Sequence, residues 1–349
     1  MDSKGLFTTD QKSKGMSLTR RLAVQLGRLR RALSRYRKLG IRTTLIKYLA
    51  LPITQGDKRA SDLFGRLEAA GLHVLPVGYY SPVPDTHELR SGDQRWREEV
   101  DLDDVQFNFG EQSRLGESFK TYRWEIADLP RADELRQQGY GLGYGPIESM
   151  LLYSFIRHFN PKQIIEIGSG VSTVYEARAI AANNMAGRGP CSLTCVEPYP
   201  SELLHTIPEV TNIVQKKVQE LPVEVFRQLD ANDILFLDSS HSVKIGSDVN
   251  FLYLQILPKL RPGVLIHIHD IYFPFLTPPD DWLFDRLMFW QETVLLKALL
   301  SGNRNFEVIY CCSYLHHKEP RALADTFDAY DPQTHYPQSI WLRRIDSND

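Results

Sequence analysis

Short apolar runs alternate with helix-length stretches from Pro161 to the C-terminal end of the chain. Strands that alternate with helices build βαβ units, so the pattern predicts an α/β domain with a mostly parallel sheet and helices on both faces. The predicted strands are Gln163–Ile167, Ser192–Val196, Asn212–Val214, Ile234–Leu237, Val264–His269, Phe306–Tyr314 and Ser339–Arg344, and helices are predicted near 172–185, 201–206, 223–229 and 247–258.

A glycine turn follows the first of these strands and opens a helix, within the run Ile164–Thr173. Gly168 and Gly170 let the backbone approach a ligand with no Cβ in the way, and the helix N-terminus offers amide donors. A dinucleotide fingerprint needs a third glycine three residues after Gly170, where this chain has Thr173. The turn therefore predicts a ligand site that is not shaped for a pyrophosphate.

Glu197 closes the second predicted strand, where a carboxylate can accept hydrogen bonds from both ribose hydroxyls of a nucleoside. It lies 29 residues beyond Gly168, whereas dinucleotide folds have about 20, and residues 183–190 are the expected insertion. Glu197 alone could equally be a solvated loop carboxylate. Together with Glu166 and the glycine turn, it predicts a nucleoside site.

Acids and imidazoles follow the next two strands, in Asp238-Ser-Ser-His241 and His267-Ile-His-Asp270. The carboxyl ends of parallel strands face one crevice, so these side chains should converge there. We predict His241 as a general base that takes a proton near neutral pH. The alternative is a divalent cation on Asp238 and Asp270, with His269, His241 or water as further ligands. A third interpretation is that the acids cap loops and the histidines are buried.

An aromatic stretch, Ile271–Phe275, follows these acids, and Trp282 lies a few residues further along. Such side chains would make an apolar wall suited to an organic substrate that accepts a transferred group, although aromatic residues are as often part of the core.

Residues 1–47 hold thirteen Lys and Arg against two Asp, while the whole chain has a net charge of −2. Leucines recur at helical spacing from Leu22 to Leu33, and arginines fill the other faces, which predicts a basic amphipathic helix within residues 18–49. It could contact an anionic membrane surface or a nucleic acid, or pack on its own protein or a partner; no specific nucleic-acid partner is expected. We predict a basic arm at 1–50, an acceptor-side elaboration at 51–146 and the cofactor-binding domain at 147–349.

Composition, 42% hydrophobic and 24% charged, excludes a chain that is disordered throughout. Four cysteines form neither a metal-knuckle nor a secreted disulfide pattern, and Cys311 and Cys312 are predicted to pack within a strand. No apolar run reaches the roughly 18 residues of a spanning helix, and the first residues lack a secretion signal. We therefore predict a cytoplasmic location, with peripheral membrane contact through the basic arm as an option.

The motifs at Glu166–Thr173, Cys195–Pro200, Asp238–Asn250 and Leu260–Ile271 together resemble a bacterial class I S-adenosylmethionine-dependent methyltransferase family, the methyltransferase-24-like group. The resemblance extends from about residue 65 to 345. It implies a Rossmann-like, seven-stranded sheet whose last strand is antiparallel. It also implies these cofactor contacts: Glu166, Gly168, Ser169 and Gly170 with the methionine part, Glu197 with the ribose, Val218 and Gln219 with the adenine, and Asp238 beside them.

The chain is also similar to more distant sugar O-methyltransferases. These place Mg²⁺ on an Asp after strand four and an acidic pair after strand five, with a His base three residues after the first Asp. Asp238, His241 and Asp270 match that arrangement, and His269 stands where the pair has its first acid. The resemblance thus implies catalytic roles for Asp238, His241 and Asp270, and Mg²⁺ on Asp238, His269 and Asp270.

The leading prediction is an O-methyltransferase that acts on a hydroxyl of a small molecule: a sugar, a glycolipid or a secondary metabolite. Three alternatives stay open. One is an N-methyltransferase of the same fold, another is a non-catalytic protein that keeps the cofactor pocket while its basic arm recruits a membrane or partner, and the third is a hydroxylase-like relative with different metal chemistry.

Overall fold

The computed structural model describes residues 60–346, which group into two compact units, one up to Asp85 and one from Thr86. The basic arm and its predicted amphipathic helix lie outside the described residues and stay predictions. In the first unit, helix α1 spans Ala60–Ala69. Gly71 follows it at φ +81°, the left-handed conformation that commonly ends a helix.

The second unit is built on one seven-stranded sheet. Its strands lie in the order β3-β2-β1-β4-β5-β7-β6; β7 is antiparallel to both neighbours, and the other pairs are parallel. This confirms the predicted Rossmann-like fold with an antiparallel last strand. The strands are β1 Gln163–Ile167, β2 Ser192–Val196, β3 Val210–Val214, β4 Ile234–Leu237, β5 Leu265–His269, β6 Phe306–Cys311 and β7 Ser339–Arg344.

The helices of this unit precede the sheet or connect its strands. They are α2 Thr86–Ser91, α3 Phe109–Phe119, α4 Arg123–Ala127, α5 Ala132–Gln138, α6 Pro146–Phe159, α7 Val171–Met185, α8 Asp248–Phe251, α9 Asp280–Phe284, α10 Glu292–Leu300, α11 Cys312–Lys318 and α12 Pro320–Thr326. Single 3₁₀ turns lie at Arg95–Arg97, Lys120–Tyr122, Glu202–Thr206, Val218–Glu220, Val223–Gln228 and Leu257–Lys259, and a π-helical segment at Leu252–Ile256.

Two apolar clusters cover the two faces of the sheet. On one face, Ile164 of β1 packs in a cluster with Leu151 of α6 and Tyr175 of α7. On the other, Ile165 packs in a cluster with Val249 of α8 and Leu296 of α10. Because successive strand residues point to opposite faces and both faces are covered, the central strands read as continuous apolar runs.

Helix α6 leads into the first strand and shows how local sequence sets the boundaries. Pro146 occupies its first turn, where a missing N–H costs nothing. Asn160 ends it at φ +51°, in the left-handed region that asparagine tolerates better than most residues. Within residues 60–346, no helix is long and apolar enough to cross a membrane.

Two predicted elements differ from the structure by more than two residues. Strands β3 and β5 differ from prediction by two residues or fewer at their first residue, and the helices predicted near 201–206 and 223–229 are 3₁₀. The strand predicted over Phe306–Tyr314 ends at Cys311, and Cys312 begins helix α11, although both thiols are buried as expected. The helix predicted over 247–258 is α-helical only from Asp248 to Phe251 and then changes to π and 3₁₀ geometry. Pro258 lies in that last turn, and proline has no N–H to continue an α-helical ladder.

Candidate active site

The glycine turn after β1 packs tightly against the end of β4. Gly168 has φ +82°, and a Cβ there would lie 1.9 Å from the carbonyl oxygen of Asp238. Its N–H donates to the carbonyl of Val196 at the end of β2, at 3.1 Å. The turn is therefore a close junction of three strand ends that a larger residue would disrupt.

Glu166 lies beneath this turn and does not line the cleft described below. Ser172 Oγ donates to its Oε1 at 2.6 Å, while Thr173 Oγ1 at 2.7 Å and Cys195 Sγ at 3.3 Å donate to its Oε2. Thr173 Oγ1 also accepts from the N–H of Gly170 at 3.0 Å. Thr173, which stands where a dinucleotide fold has its third glycine, thus links Glu166 to the glycine turn by hydrogen bonds. Contact of Glu166 with a cofactor stays a prediction.

Burial sets the protonation of Glu166. It raises the pKa of this carboxyl to about 7, against the opposing effect of the hydrogen bonds from Ser172, Thr173 and Cys195. Glu176 of α7 is buried beside it, and burial together with the charge of Glu166 raises the pKa of Glu176 well above its ordinary value.

Glu197 is linked to the glycine turn through hydrogen bonds to backbone amides. Its Oε2 accepts from the N–H of Ser169 at 3.3 Å, and its Oε1 accepts from the N–H of Tyr199 at 2.8 Å. Glu197, Ser169 and Gly170 all line the same cleft. The structure therefore brings together the predicted ribose and methionine sides of the cofactor site, although the contacts themselves stay predictions.

The residues predicted for the adenine do not line this cleft. Val218 is buried in the apolar cluster on the α8 side of the sheet. Gln219 donates from Nε2 to the carbonyl of Gly246 at 3.1 Å. Their predicted role is untested by this geometry.

A loop before α6, residues 139–145, forms one wall of the cleft. A Cβ on Gly141 would lie 3.4 Å from the Cα of Gly170, and a Cβ on Gly170 would lie 2.9 Å from the carbonyl oxygen of Tyr140. The loop therefore lies directly against the glycine turn. Of the four glycines in this loop, Gly141 is the one that makes this close approach.

The cleft has a volume of about 1620 Å³, more than the roughly 300–1,000 Å³ of a site for one small ligand. It runs along the carboxyl ends of the strands, as expected for a doubly wound sheet. Because β2, β1, β4 and β5 are neighbours in the sheet, the residues that follow them lie in order along its edge. They are Glu197, Gly168, Asp238 and, at the end of β5, His269 and Asp270.

His241 lies among three carboxylates. Its Nε2 is 3.2 Å from Asp238 Oδ1 and 3.3 Å from Asp270 Oδ2, and its Nδ1 is 2.8 Å from Glu292 Oε2. His241 is 4% exposed and Glu292 2%. The predicted convergence of Asp238, His241 and Asp270 is thus present, and Glu292 of α10 joins them without any signal in the motifs after β4 and β5.

Burial and the neighbouring charges shift the pKa values of His241, Asp238 and Asp270 in opposite directions. Burial alone would lower the pKa of His241, but the hydrogen bonds to Asp238 and Glu292 and the charge of Asp270 raise it well above its ordinary value. Burial raises the pKa of Asp238, yet the interactions with His269 and His241 lower it overall. For Asp270 burial prevails and its pKa rises. The imidazole therefore holds a proton in this arrangement.

The donor set is suited to a divalent cation. Asp238, His241 and Asp270 each offer one ligand atom, all within 4.8 Å of one another. His269, the predicted third ligand, borders this set with Nε2 3.9 Å from Asp270 Oδ1. Two carboxylates with an imidazole fit the ligands of divalent metals.

The other two imidazoles of the region differ in their surroundings. His267 is fully buried between Phe236 and Trp341, and burial with the charge of His269 holds its pKa well below the ordinary value. His269 lines the cleft with its ring stacked on Tyr144, 4.6 Å between centroids. Among the described residues, no partner is found for its Nδ1.

Part of the predicted aromatic wall is present. Tyr272, Phe275 and Trp282 line the cleft, whereas Ile271 and Phe273 are core residues. A tryptophan outside the predicted stretch, Trp290, extends the wall: its ring lies 4.5 Å from that of His241 and 5.6 Å from that of Trp282.

A buried carboxylate from a distant element, Glu148 of α6, also lines the cleft. It accepts a hydrogen bond from the N–H of Gln338, and burial raises its pKa. Its sequence position, far before the strand-end motifs, gave no sign of this location.

One stretch of the chain matches a known family model. Residues 165–271 match the family model described as a methyltransferase domain, and this confirms the resemblance to class I S-adenosylmethionine-dependent methyltransferases. An uncharacterized protein of Archaeoglobus fulgidus is 25% identical over 173 residues, which is 46% of this chain and 76% of that protein.

Similar solved structures include two O-methyltransferases. One, from Streptomyces achromogenes and involved in tomaymycin synthesis, was solved with S-adenosylmethionine; it is 15% identical, with 69% of this chain and 92% of that chain covered and a TM-score of 0.35. The other, from Bacillus cereus, was solved with S-adenosylhomocysteine; it is 12% identical, with 66% and 99% covered and a TM-score of 0.38.

Proposed function

We propose that this chain, whose residues 165–271 match a methyltransferase domain, transfers a methyl group from S-adenosylmethionine to a hydroxyl of a small organic acceptor. The observation that carries the proposal is the position of His241. Its imidazole lines the same cleft as Glu197 and the glycine turn, next to the end of β4. A hydroxyl needs to lose its proton during methyl transfer, whereas an amine with a free lone pair does not, so a buried imidazole favours an oxygen acceptor.

The step is an in-line displacement at the methyl carbon. The acceptor oxygen forms a bond to this carbon as the bond from carbon to the sulfonium sulfur breaks, and the sulfur leaves as the neutral thioether S-adenosylhomocysteine. The hydroxyl proton passes to Nε2 of His241, the nitrogen that faces Asp238 and Asp270. His241 must therefore be neutral when the hydroxyl is in place. A sulfonium bound beside Asp238 adds a positive charge near the imidazole and so favours loss of its proton.

Magnesium assistance is part of the proposal. Asp238 and Asp270, with His269 or His241 as a further ligand, would hold the ion. When bound, it would lower the pKa of the acceptor hydroxyl and orient it. Asp238 Oδ1 and Asp270 Oδ2 also contact Nε2 of His241, so a cation and a protonated imidazole would compete for the same oxygens.

The aromatic wall of the cleft supports the proposed acceptor class. Tyr272, Trp282 and Trp290 line this part of the cleft, and aromatic faces suit a sugar ring, a glycolipid headgroup or a ring of a secondary metabolite. We propose that these side chains hold the acceptor. Tyr140 and Tyr144 of the 139–145 loop, which line the cleft, supply further acceptor contacts in this proposal.

The test is methyl transfer from labelled S-adenosylmethionine to a panel of sugars, glycolipids, phenols and amines, with the product identified by mass spectrometry and NMR. Label on an oxygen supports the proposal. Label only on nitrogen would favour an N-methyltransferase, and cofactor binding with no transfer to any acceptor would favour a non-catalytic protein.

A further inference from the structure

Three consecutive residues at the start of α10 contact His241 through three different groups. The Trp290 ring lies 4.5 Å from the imidazole, centroid to centroid. The N–H of Gln291 donates to the carbonyl of His241 at 3.1 Å. Glu292 Oε2 lies 2.8 Å from Nδ1. The ring face, the backbone and one ring nitrogen of His241 are thereby each held by a neighbouring residue of one segment.

We propose that Glu292 is a positioning residue for His241: its carboxylate accepts the Nδ1 hydrogen bond and so directs Nε2 to the reacting hydroxyl. The catalytic part of this inference rests on the proposed function. The geometric part, the pairing of Glu292 with Nδ1, stands independently of any reaction.

Burial of Glu292 argues for a specific partner. A carboxylate taken out of water is costly unless it is paired and hydrogen-bonded. Among residues 60–346, His241 is the basic side chain that pairs with Glu292, and the buried Tyr253 hydroxyl interacts with the same carboxylate. Glu292 is also the first residue of α10, where the helix dipole favours a negative charge. The carboxylate thus lies at the helix N-terminus with Oε2 directed at Nδ1 of His241.

The backbone of His241 shows why such support is needed. Its φ is +54°, in the left-handed region that costs a residue with a Cβ about 1–2 kcal/mol. Asp270 has the same φ of +54° on the other side of Nε2. Strained residues persist where their surroundings hold them in place. The contacts from Trp290, Gln291 and Glu292 supply that restraint for His241.

A carboxylate behind an imidazole is a known way to fix which nitrogen faces the substrate. A hydrogen bond at Nδ1 sets the tautomer and the ring orientation, so the free nitrogen is Nε2. Tyr253 and Tyr272, whose pKa values burial and the nearby carboxylates raise, are also close to this pair. They stay neutral, so the ionic contacts of His241 come from Glu292, Asp238 and Asp270.

Two substitutions separate positioning from a packing role. Glu292→Gln keeps an oxygen that can accept from Nδ1, whereas Glu292→Met keeps the length of the side chain but removes the acceptor. We expect Glu292→Met to lower kcat by about ten- to hundredfold, as for loss of a partner that orients a histidine. The KM for S-adenosylmethionine should stay within about twofold of wild type, since Glu292 does not line the cleft. Glu292→Gln should recover most of the lost kcat.

A second measurement does not need an acceptor. In protein labelled with ¹⁵N-histidine, the His241 Nδ1 proton should resonate far downfield, because it is hydrogen-bonded to a carboxylate. The signal is assigned by its loss in His241→Gln. It should move upfield in Glu292→Gln and disappear in Glu292→Met. Should Glu292→Met fail to fold, Glu292→Gln alone carries this test.

Asp285→Asn is the matched control, because Asp285 is an exposed carboxylate of the same connection and does not line the cleft. It should leave both kcat and the NMR signal unchanged. The inference is overturned if Glu292→Met keeps wild-type kcat, if its main effect is on KM for the cofactor, or if wild type shows no downfield Nδ1 proton. Failure of the proposed function would appear differently, as an intact NMR signal without methyl transfer.

Discussion

The N–H of Ser169 donates to Glu197 Oε2 at 3.3 Å, which joins the glycine turn after β1 to the end of β2. The other oxygen of Glu197 accepts from the N–H of Tyr199. In the proposed complex the same carboxylate also faces the ribose. The Glu197 carboxylate thus accepts hydrogen bonds from the backbone of the site and, in the proposed complex, from the ribose as well.

Glu197→Gln should weaken binding of S-adenosylhomocysteine. An amide replaces one acceptor oxygen with a donor and removes the charge, and loss of a charge-assisted hydrogen bond costs about 1.5–3 kcal/mol, or roughly ten- to hundredfold in Kd. Isothermal titration calorimetry measures the change. Glu202→Gln, an exposed acid in the following 3₁₀ turn, is the control and should bind like wild type. Equal affinities for all three proteins would contradict the ribose assignment.

Gly168→Ala should both destabilise the protein and abolish cofactor binding. The left-handed φ costs about 1–2 kcal/mol for alanine, and the added Cβ would lie 1.9 Å from the carbonyl oxygen of Asp238. Gly187→Ala is a matched control, since Gly187 has φ +71° and nothing within 4 Å of its Cβ position. Urea unfolding should therefore show a clearly larger loss for Gly168→Ala. Similar losses for both would mean that the close approach to Asp238 has no energetic weight.

Glu166 should make stability depend on pH in a defined window. Its pKa is about 7 in the folded protein, against an ordinary value of 4.5. The folded state therefore binds an extra proton between these values. The stability from this group is present below pH 4.5 and is lost as pH rises through 7, with a slope of at most about 1.4 kcal/mol per pH unit.

Comparison of wild type with Glu166→Gln isolates this effect. As pH rises from 4.5 to 7, the free energy of urea unfolding of wild type should fall relative to that of Glu166→Gln. Above pH 7 the difference between the two proteins should be constant. Glu307→Gln, a variant of a half-buried residue on β6, serves as the control. A difference that does not change with pH would show that Glu166 titrates alike in both states.

His241→Ala should lose turnover and keep cofactor affinity. Loss of a general base typically lowers the rate by about 10²–10⁴. Cofactor affinity should stay the same, because His241 lines the cleft beside Asp238 and Asp270 and not in the glycine turn. Asp238→Ala should weaken both, because Asp238 follows β4 directly beside Gly168. Single-turnover assays and calorimetry measure the two quantities. Full activity of His241→Ala would exclude the imidazole as base.

Removal of divalent ions tests the metal part of the account separately. If Mg²⁺ assists, prolonged dialysis against a chelator should reduce the rate, and added Mg²⁺ should restore it. Variants that lack the Asp238 or Asp270 carboxylate should not respond to added Mg²⁺. A rate that is indifferent to the chelator would remove the metal and leave proton transfer to His241.

The sequence predicted the parts of this site that lie next to their strands. Asp238 and Asp270 each follow a strand directly, so the parallel sheet brings them to one edge, and four of the seven strands have the predicted bounds. Glu148 was missed because it reaches the cleft, and Glu292 because it reaches His241, from helices distant in sequence. No periodicity or spacing encodes such tertiary contacts. The end of β6 at Cys311 was missed for a different reason: buried residues continue past it into helix α11, so the sequence shows no break at Cys311.

Calorimetric titration with S-adenosylmethionine, S-adenosylhomocysteine and NAD shows which of these ligands the cleft binds. The site lacks the third glycine of a dinucleotide fold and has Glu197 at the end of β2. We predict that S-adenosylmethionine and S-adenosylhomocysteine each bind at one site per chain and that NAD does not bind. Absence of binding for both sulfur nucleosides, or preferential binding of NAD, would contradict it.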